Sequence, residues 1–224
     1  MDELVRTRKE LRMNFGTVVV IAGFSGVFSF GFLAAAIGSD YWYIIKVNQE
    51  NITNSEDLDS HSGLWRINEG KNSSSHFIHP FTEDTSSYSE PERHLLSMHK
   101  VIVILLPLSL VLLVFGGICG LVSSLAHNRR MLITSASYFL FCSLFTLSGV
   151  SLYISYSQQA WQEMERQLGA ELLAPVQVSF GWSLGLAWLS YGLEVAAGLL
   201  LLLAARMTHP QLNEFTTTTT MAMA

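Results

Sequence analysis

Cysteine is scarce in this chain, with two in 224 residues, and both Cys119 and Cys142 lie inside long apolar runs. No Cys-x-x-Cys pair is available, and a buried free thiol behaves as a small apolar packing residue. A bridge between the two runs that carry them stays open on sequence alone. Charge is scarce too: 14% of residues are Asp, Glu, Lys or Arg, and no basic tract marks a nucleic-acid partner. His-Glu-x-x-His and a glycine-rich phosphate loop are missing. The chain reads as a non-enzyme with no cofactor.

What the chain has is apolar length. Four runs, at about 15–39, 101–126, 131–157 and 180–205, reach or exceed the roughly 20 residues a helix needs to cross a bilayer. Backbone polar groups in hydrocarbon must be satisfied within their own segment, so such runs read as spanning helices. The expected fold is a left-handed four-helix transmembrane bundle. Residues 1–14 form an N-terminal tail, 15–205 the membrane domain, and 206–224 a C-terminal tail whose Thr216–Thr220 stretch is expected to be flexible. A cleaved signal peptide is the competing reading of the first run, with Ala34-Ala35-Ala36 imitating a cleavage site. The run exceeds the ~7–15 apolar residues of a signal core, which favours an anchor. Tyr41-Trp42-Tyr43, directly after it, reads as an interfacial aromatic belt.

Orientation follows from the basic residues near the spans. Arg6, Arg8, Lys9 and Arg12 precede the first run, and Arg129 and Arg130 fill half of the short connection between the second and third. The loop from Asp40 to Lys100 carries ten acidic and five basic residues. Both termini are therefore expected in the cytoplasm of a plasma-membrane protein, with loops 40–100 and 158–179 outside. The sequons at Asn51 and Asn72 fall in the first loop, on the side where glycosylation occurs.

Glycines outnumber prolines 16 to 5. Gly116 and Gly120 share one helical face, as do Gly181 and Gly185, a spacing that lets backbones approach within the bundle or, alternatively, in an oligomer. Pro107 is expected to kink the second helix. The first loop reads as a small antiparallel sheet. Its β-prone runs are Trp42–Val47, Gly63–Ile67 and His76–Phe81, separated by turn-rich stretches. Ser89-Glu90-Pro91-Glu92 opens a short helix over Arg93–Lys100 that feeds the second span.

The histidines and one acid complete the candidates. His76-x-x-His79, with His61, His94 and His99, raises a zinc hypothesis, but on a strand that spacing points two side chains to opposite faces. Surface histidines are the simpler reading, and no metal is expected. Glu194 lies near the middle of the fourth run, where an ionisable group costs ~3 kcal/mol and marks a functional position by default. It serves either as a hydrogen-bonded carboxyl inside the bundle, as a contact for a partner helix, or in ion conduction.

A large first loop, a small later one, Trp42 and Gly63-Leu64-Trp65 together resemble the claudin, peripheral myelin protein and epithelial membrane protein superfamily. Tetraspanins put their large loop between the third and fourth helices. Ser39-Asp40-Tyr41-Trp42 and His61–Arg66 also resemble calcium-channel gamma subunits and their glutamate-receptor auxiliary relatives. The resemblance to claudin-like proteins covers nearly everything from Phe30 to Ala205, and its most specific segments are Pro107–Val114, Gly149–Ser157 and Val178–Ser183. It implies a claudin-like fold with an extracellular sheet, and Trp42, Gly63, Leu64, Trp65 and Arg66 as family-motif residues. One departure is large: the family's two loop cysteines, placed at Asn68 and Ser74 in this chain, are absent. The implied function is contact with other membrane proteins in membrane or junction organisation. The alternative is an auxiliary subunit of an ion channel or receptor, and a homo-oligomer is possible in either case. The terminal Met221-Ala222-Met223-Ala224 departs from the PDZ-binding ending usual in such families, which favours lateral membrane partners.

Overall fold

The computed structural model describes residues 14–47, 60–69, 74–77, 89–126, 128–169 and 175–222. Asn51, Asn72 and His79 lie outside these residues, as do the N-terminal basic residues that set the expected orientation. Among the described residues four helices dominate: α1 (Phe15–Gly38), α2 (Glu90–Leu125), α3 (Arg129–Leu168) and α4 (Trp182–Ala222). All four are long and apolar enough to cross a membrane.

The lengths of α2, α3 and α4 exceed their apolar runs. The helix expected before the second span is continuous with it, and α2 starts at Glu90. The N-terminus is capped, as Ser89 N–H donates to the Glu92 carboxylate at 2.8 Å. At 40 residues, α3 is about 60 Å long, twice the ~30 Å of hydrocarbon, so its last turns continue past the apolar run. The helical segment of α4 continues to Ala222, through the Thr-rich stretch expected to be flexible. Extending an existing helix fixes one residue per hydrogen bond, whereas starting a new one is costly.

Among the described residues five strands form one antiparallel sheet in the order β4-β3-β2-β1-β5: β1 (Tyr43–Val47), β2 (Ser60–Ser62), β3 (Arg66–Glu69), β4 (Ser74–Phe77) and β5 (Val176–Phe180). Three occupy or border runs expected to be β-prone. The short β2 and the second-loop β5 are additions. The alternation Val176-Gln177-Val178-Ser179-Phe180 carries the two-residue strand period, and β5 pairs along all of β1, from Tyr43↔Phe180 to Val47↔Val176.

The chain divides into two compact units. One comprises Met1–Phe30, Val111–Ser143 and Gly192–Ala224. Its core joins Leu113, Leu132, Phe139 and Leu201 with Ala22, Ala136, Ala197 and Ala205. Small residues let helices approach where no hydrophobic drive pulls them together in lipid. Gly116 and Gly120 serve this unit, facing the rings of Tyr138 and Phe139 on α3. Phe24, Val27, Phe28 and Leu121 are exposed apolar side chains suited to lipid.

The other unit comprises Gly31–Leu110 and Leu144–Tyr191 and contains the sheet. Its core is Leu33, Ala36, Trp42, Leu64, Ile102, Leu106, Val150, Tyr153 and Ala187, with neighbours. Gly149 packs so tightly that a Cβ would stand 2.7 Å from a Leu106 methyl. The expected Gly181/Gly185 helix face is not a packing face. Gly181 precedes α4 and is pressed on the Tyr41 carbonyl, where a Cβ would collide, and Gly185 has open space around it.

Candidate functional site

A helix ends with carbonyls that lack intrahelical partners, and α1 ends where the sheet begins. The indole N–H of Trp42 donates to the Ala36 carbonyl at 2.7 Å. The indole N–H of Trp65 donates to the Ile37 carbonyl at 3.0 Å. Two tryptophans thus cap the last turn of α1 from two places in the sheet region. Trp42 is fully buried, with its ring 4.7 Å from that of Tyr153 on α3. Its backbone is held on both sides, by Trp42 N–H to Ser62 C=O at 3.0 Å and Gly181 N–H to Trp42 C=O at 2.9 Å.

The Gly-Leu-Trp segment supplies the complementary half. Gly63 N–H donates to the Arg66 carbonyl at 2.8 Å, closing a tight turn into β3. A Cβ on Gly63 would lie 2.6 Å from the Asp40 Cα, so only hydrogen fits there. Leu64 is fully buried in the core with Trp42 and Tyr153, Trp65 is partly buried, and Arg66 is exposed on β3. The structure therefore brings Trp42, Gly63, Leu64 and Trp65 into one junction between α1, α3 and the sheet. Sequence reasoning overlooked Tyr153, on which the Trp42 ring rests. The signal available was its place in an apolar span four residues before Ser157.

The sheet is held without a disulfide, since Cys119 and Cys142 are free thiols on α2 and α3. Asn68 occupies one position where the family cysteine was placed, and its amide nitrogen lies 3.0 Å from Nε2 of His61 across the β2–β3 pair. The register pairs Asn68 with Ser75 and Glu69 with Ser74, so Asn68 and Ser74 are not cross-strand partners.

The histidines are dispersed. His61 stacks on Tyr41 with centroids 4.5 Å apart, His99 is buried against the Tyr156 ring, and His94 is exposed. Among the described residues no three metal-ligating side chains converge. Glu194 is fully buried, and the Ser29 hydroxyl of α1 donates to its Oε1 at 3.5 Å. The contact is long for a hydrogen bond and therefore weak.

Residues 27–203 match the family described as PMP-22/EMP/MP20/Claudin tight junction. Over 152 residues, 62% of the chain, it is 28% identical to the voltage-dependent calcium channel gamma-3 subunits of Bos taurus and Rattus norvegicus. The human gamma-3 subunit matches over the same 152 residues at 28% identity. The chain spans about half the length of these curated relatives, 48% of each.

Proposed function

From the premise that this chain belongs to the PMP-22/EMP/MP20/claudin family, we propose that it is a non-enzymatic plasma-membrane protein organising membranes or cell junctions through protein–protein contacts. The observation that carries this reading is the double tryptophan cap. It ties the sheet to the end of a spanning helix, so the strands form a stiff platform at the membrane boundary. A preorganised surface loses little freedom on binding and suits recognition. In this reading the sheet is extracellular, Asn51 and Asn72 carry glycans, both termini are cytoplasmic, and the partners are other membrane proteins or further copies of the chain.

The similarity to calcium-channel gamma-3 subunits favours a second reading, an auxiliary subunit of an ion channel or receptor. Proximity labelling from the native membrane separates the two. Enrichment of claudin-like and junction proteins supports the first reading, and enrichment of channel or receptor subunits supports the second. Labelling of neither group above a generic plasma-membrane control would defeat both.

A further inference from the structure

One cavity of about 160 Å³ opens beside the sheet, lined by Tyr43, Ser157, Gln158, Trp161, Val178, Ser179 and Phe180. Tyr43 and Phe180 are cross-strand partners, so both rings lie on one sheet face, 6.1 Å apart and at 72° to each other. Val178 shares that face. Ser157 and Trp161, four apart on α3, approach from the helix side. Three aromatic side chains therefore line a small recess whose wall is almost wholly carbon.

Depth narrows the choice of occupant. The apolar run of α3 ends at Ser157, and Gln158 and Gln159 follow. Tyr43 stands just after the first span and Phe180 just before α4. Three crossings of the hydrocarbon boundary thus meet in this cavity, at the level of the lipid headgroups. Phe180 is 46% exposed and Gln158 is exposed, so lipid can reach the recess.

We propose that the cavity is an aromatic cage for the trimethylammonium group of a choline phospholipid in the adjacent leaflet. The size fits, because an apolar cavity of ~150 Å³ admits benzene, a molecule of similar bulk. Aromatic faces attract a cation, and cages of this kind recognise quaternary ammonium groups. Among the described residues no Lys or Arg lines the recess to compete for those faces. A primary ammonium brings three N–H donors that need acceptors, which a carbon wall does not supply. Trimethylammonium brings none. The exposed Gln158 amide beside the recess can donate to the lipid phosphate.

Native mass spectrometry of the full chain tests this, using equimolar phosphatidylcholine and phosphatidylethanolamine with identical acyl chains. Phosphatidylcholine should be retained over phosphatidylethanolamine roughly three- to tenfold, the scale of a partly desolvated cation–π site. Trp161→Leu should bring that ratio close to one while leaving thermal unfolding unchanged. Phe180→Leu, at an exposed position, should do the same if Trp161→Leu fails to fold. Free choline at the lipid's concentration should not displace it, since the acyl chains hold the lipid in place. Equal retention of the two lipids by the wild type overturns the proposal. Unchanged selectivity in the folded variants, or displacement by free choline, also overturns it.

Discussion

Gly63 sits against Asp40 so closely that a Cβ would stand 2.6 Å from the Asp40 Cα and 2.7 Å from its carboxylate oxygen. The backbone of the Gly-Leu-Trp turn therefore leans directly on the chain leaving α1. Asp40 cannot retreat, because Trp42 two residues later is buried and hydrogen-bonded back to Ala36. Gly63→Ala should destabilise the protein by about 1–3 kcal/mol, the usual cost of overpacking. Gly185→Ala, with nothing within 4 Å of the new methyl, should be neutral or slightly stabilising through helix propensity. Thermal unfolding in detergent checks both, and equal responses would remove the special role of Gly63.

The tryptophan caps separate into ring and hydrogen-bond parts. Trp42→Phe keeps much of the packing on Tyr153 but strands the Ala36 carbonyl, at a cost of about 1–3 kcal/mol. Trp42→Ala also empties the core and should cost ~3–5 kcal/mol. Trp65→Ala should lower surface delivery, with retention in the endoplasmic reticulum read by glycosidase sensitivity. Normal delivery of both Ala variants would show that the sheet does not depend on these caps.

The sheet register decides where a disulfide can be restored. Asn68 faces Ser75 across β3 and β4, and cross-strand partners stand ~4.5–5.5 Å apart at Cα, within bridging reach. Asn68→Cys with Ser75→Cys should form a bridge and add about 2–4 kcal/mol. Asn68→Cys with Ser74→Cys, one residue out of register, should bridge poorly. Non-reducing electrophoresis compares the two pairs.

At Glu194, the Ser29 hydroxyl donates to the carboxyl inside one unit of the protein. Glu194→Gln retains an acceptor and should leave detergent stability nearly unchanged. Glu194→Leu should cost on the order of 0.6 kcal/mol, the average for interhelical hydrogen bonds in membranes. Partner recovery should follow wild type in both variants. A loss of partner with Glu194→Gln at unchanged stability would move this residue from packing to recognition.

Much of this architecture was legible in the sequence, for a physical reason. Bilayer thickness demands a minimum apolar length, and the four runs met it, so the four helices were readable at their centres. Their ends were not, because Gln158–Leu168 and the residues after Ala205 continue helices whose polar composition gave no apolar signal. The β1 and β3 regions carried aromatic and β-branched runs, whereas β2 is Ser60-His61-Ser62, which carries neither. The motif residues Trp42 and Gly63-Leu64-Trp65 could be named in advance. Their junction with the α1 carbonyls could not, because it joins residues whose contact depends on tertiary folding. The pairing of Gly181 on a helix face misread a glycine that serves a strand crossing, where close backbone approach also demands glycine.

In the proposed function the tryptophan-capped sheet is the surface through which this protein meets its partners. Ile67 on β3 is 39% exposed, and Leu121 on α2 is 64% exposed at a position suited to lipid. A photo-crosslinking amino acid placed at each position in intact cells reads the surroundings directly. The account predicts discrete membrane-protein adducts from Ile67 and only lipid or diffuse adducts from Leu121. Protein adducts from Leu121 with none from Ile67 would contradict it.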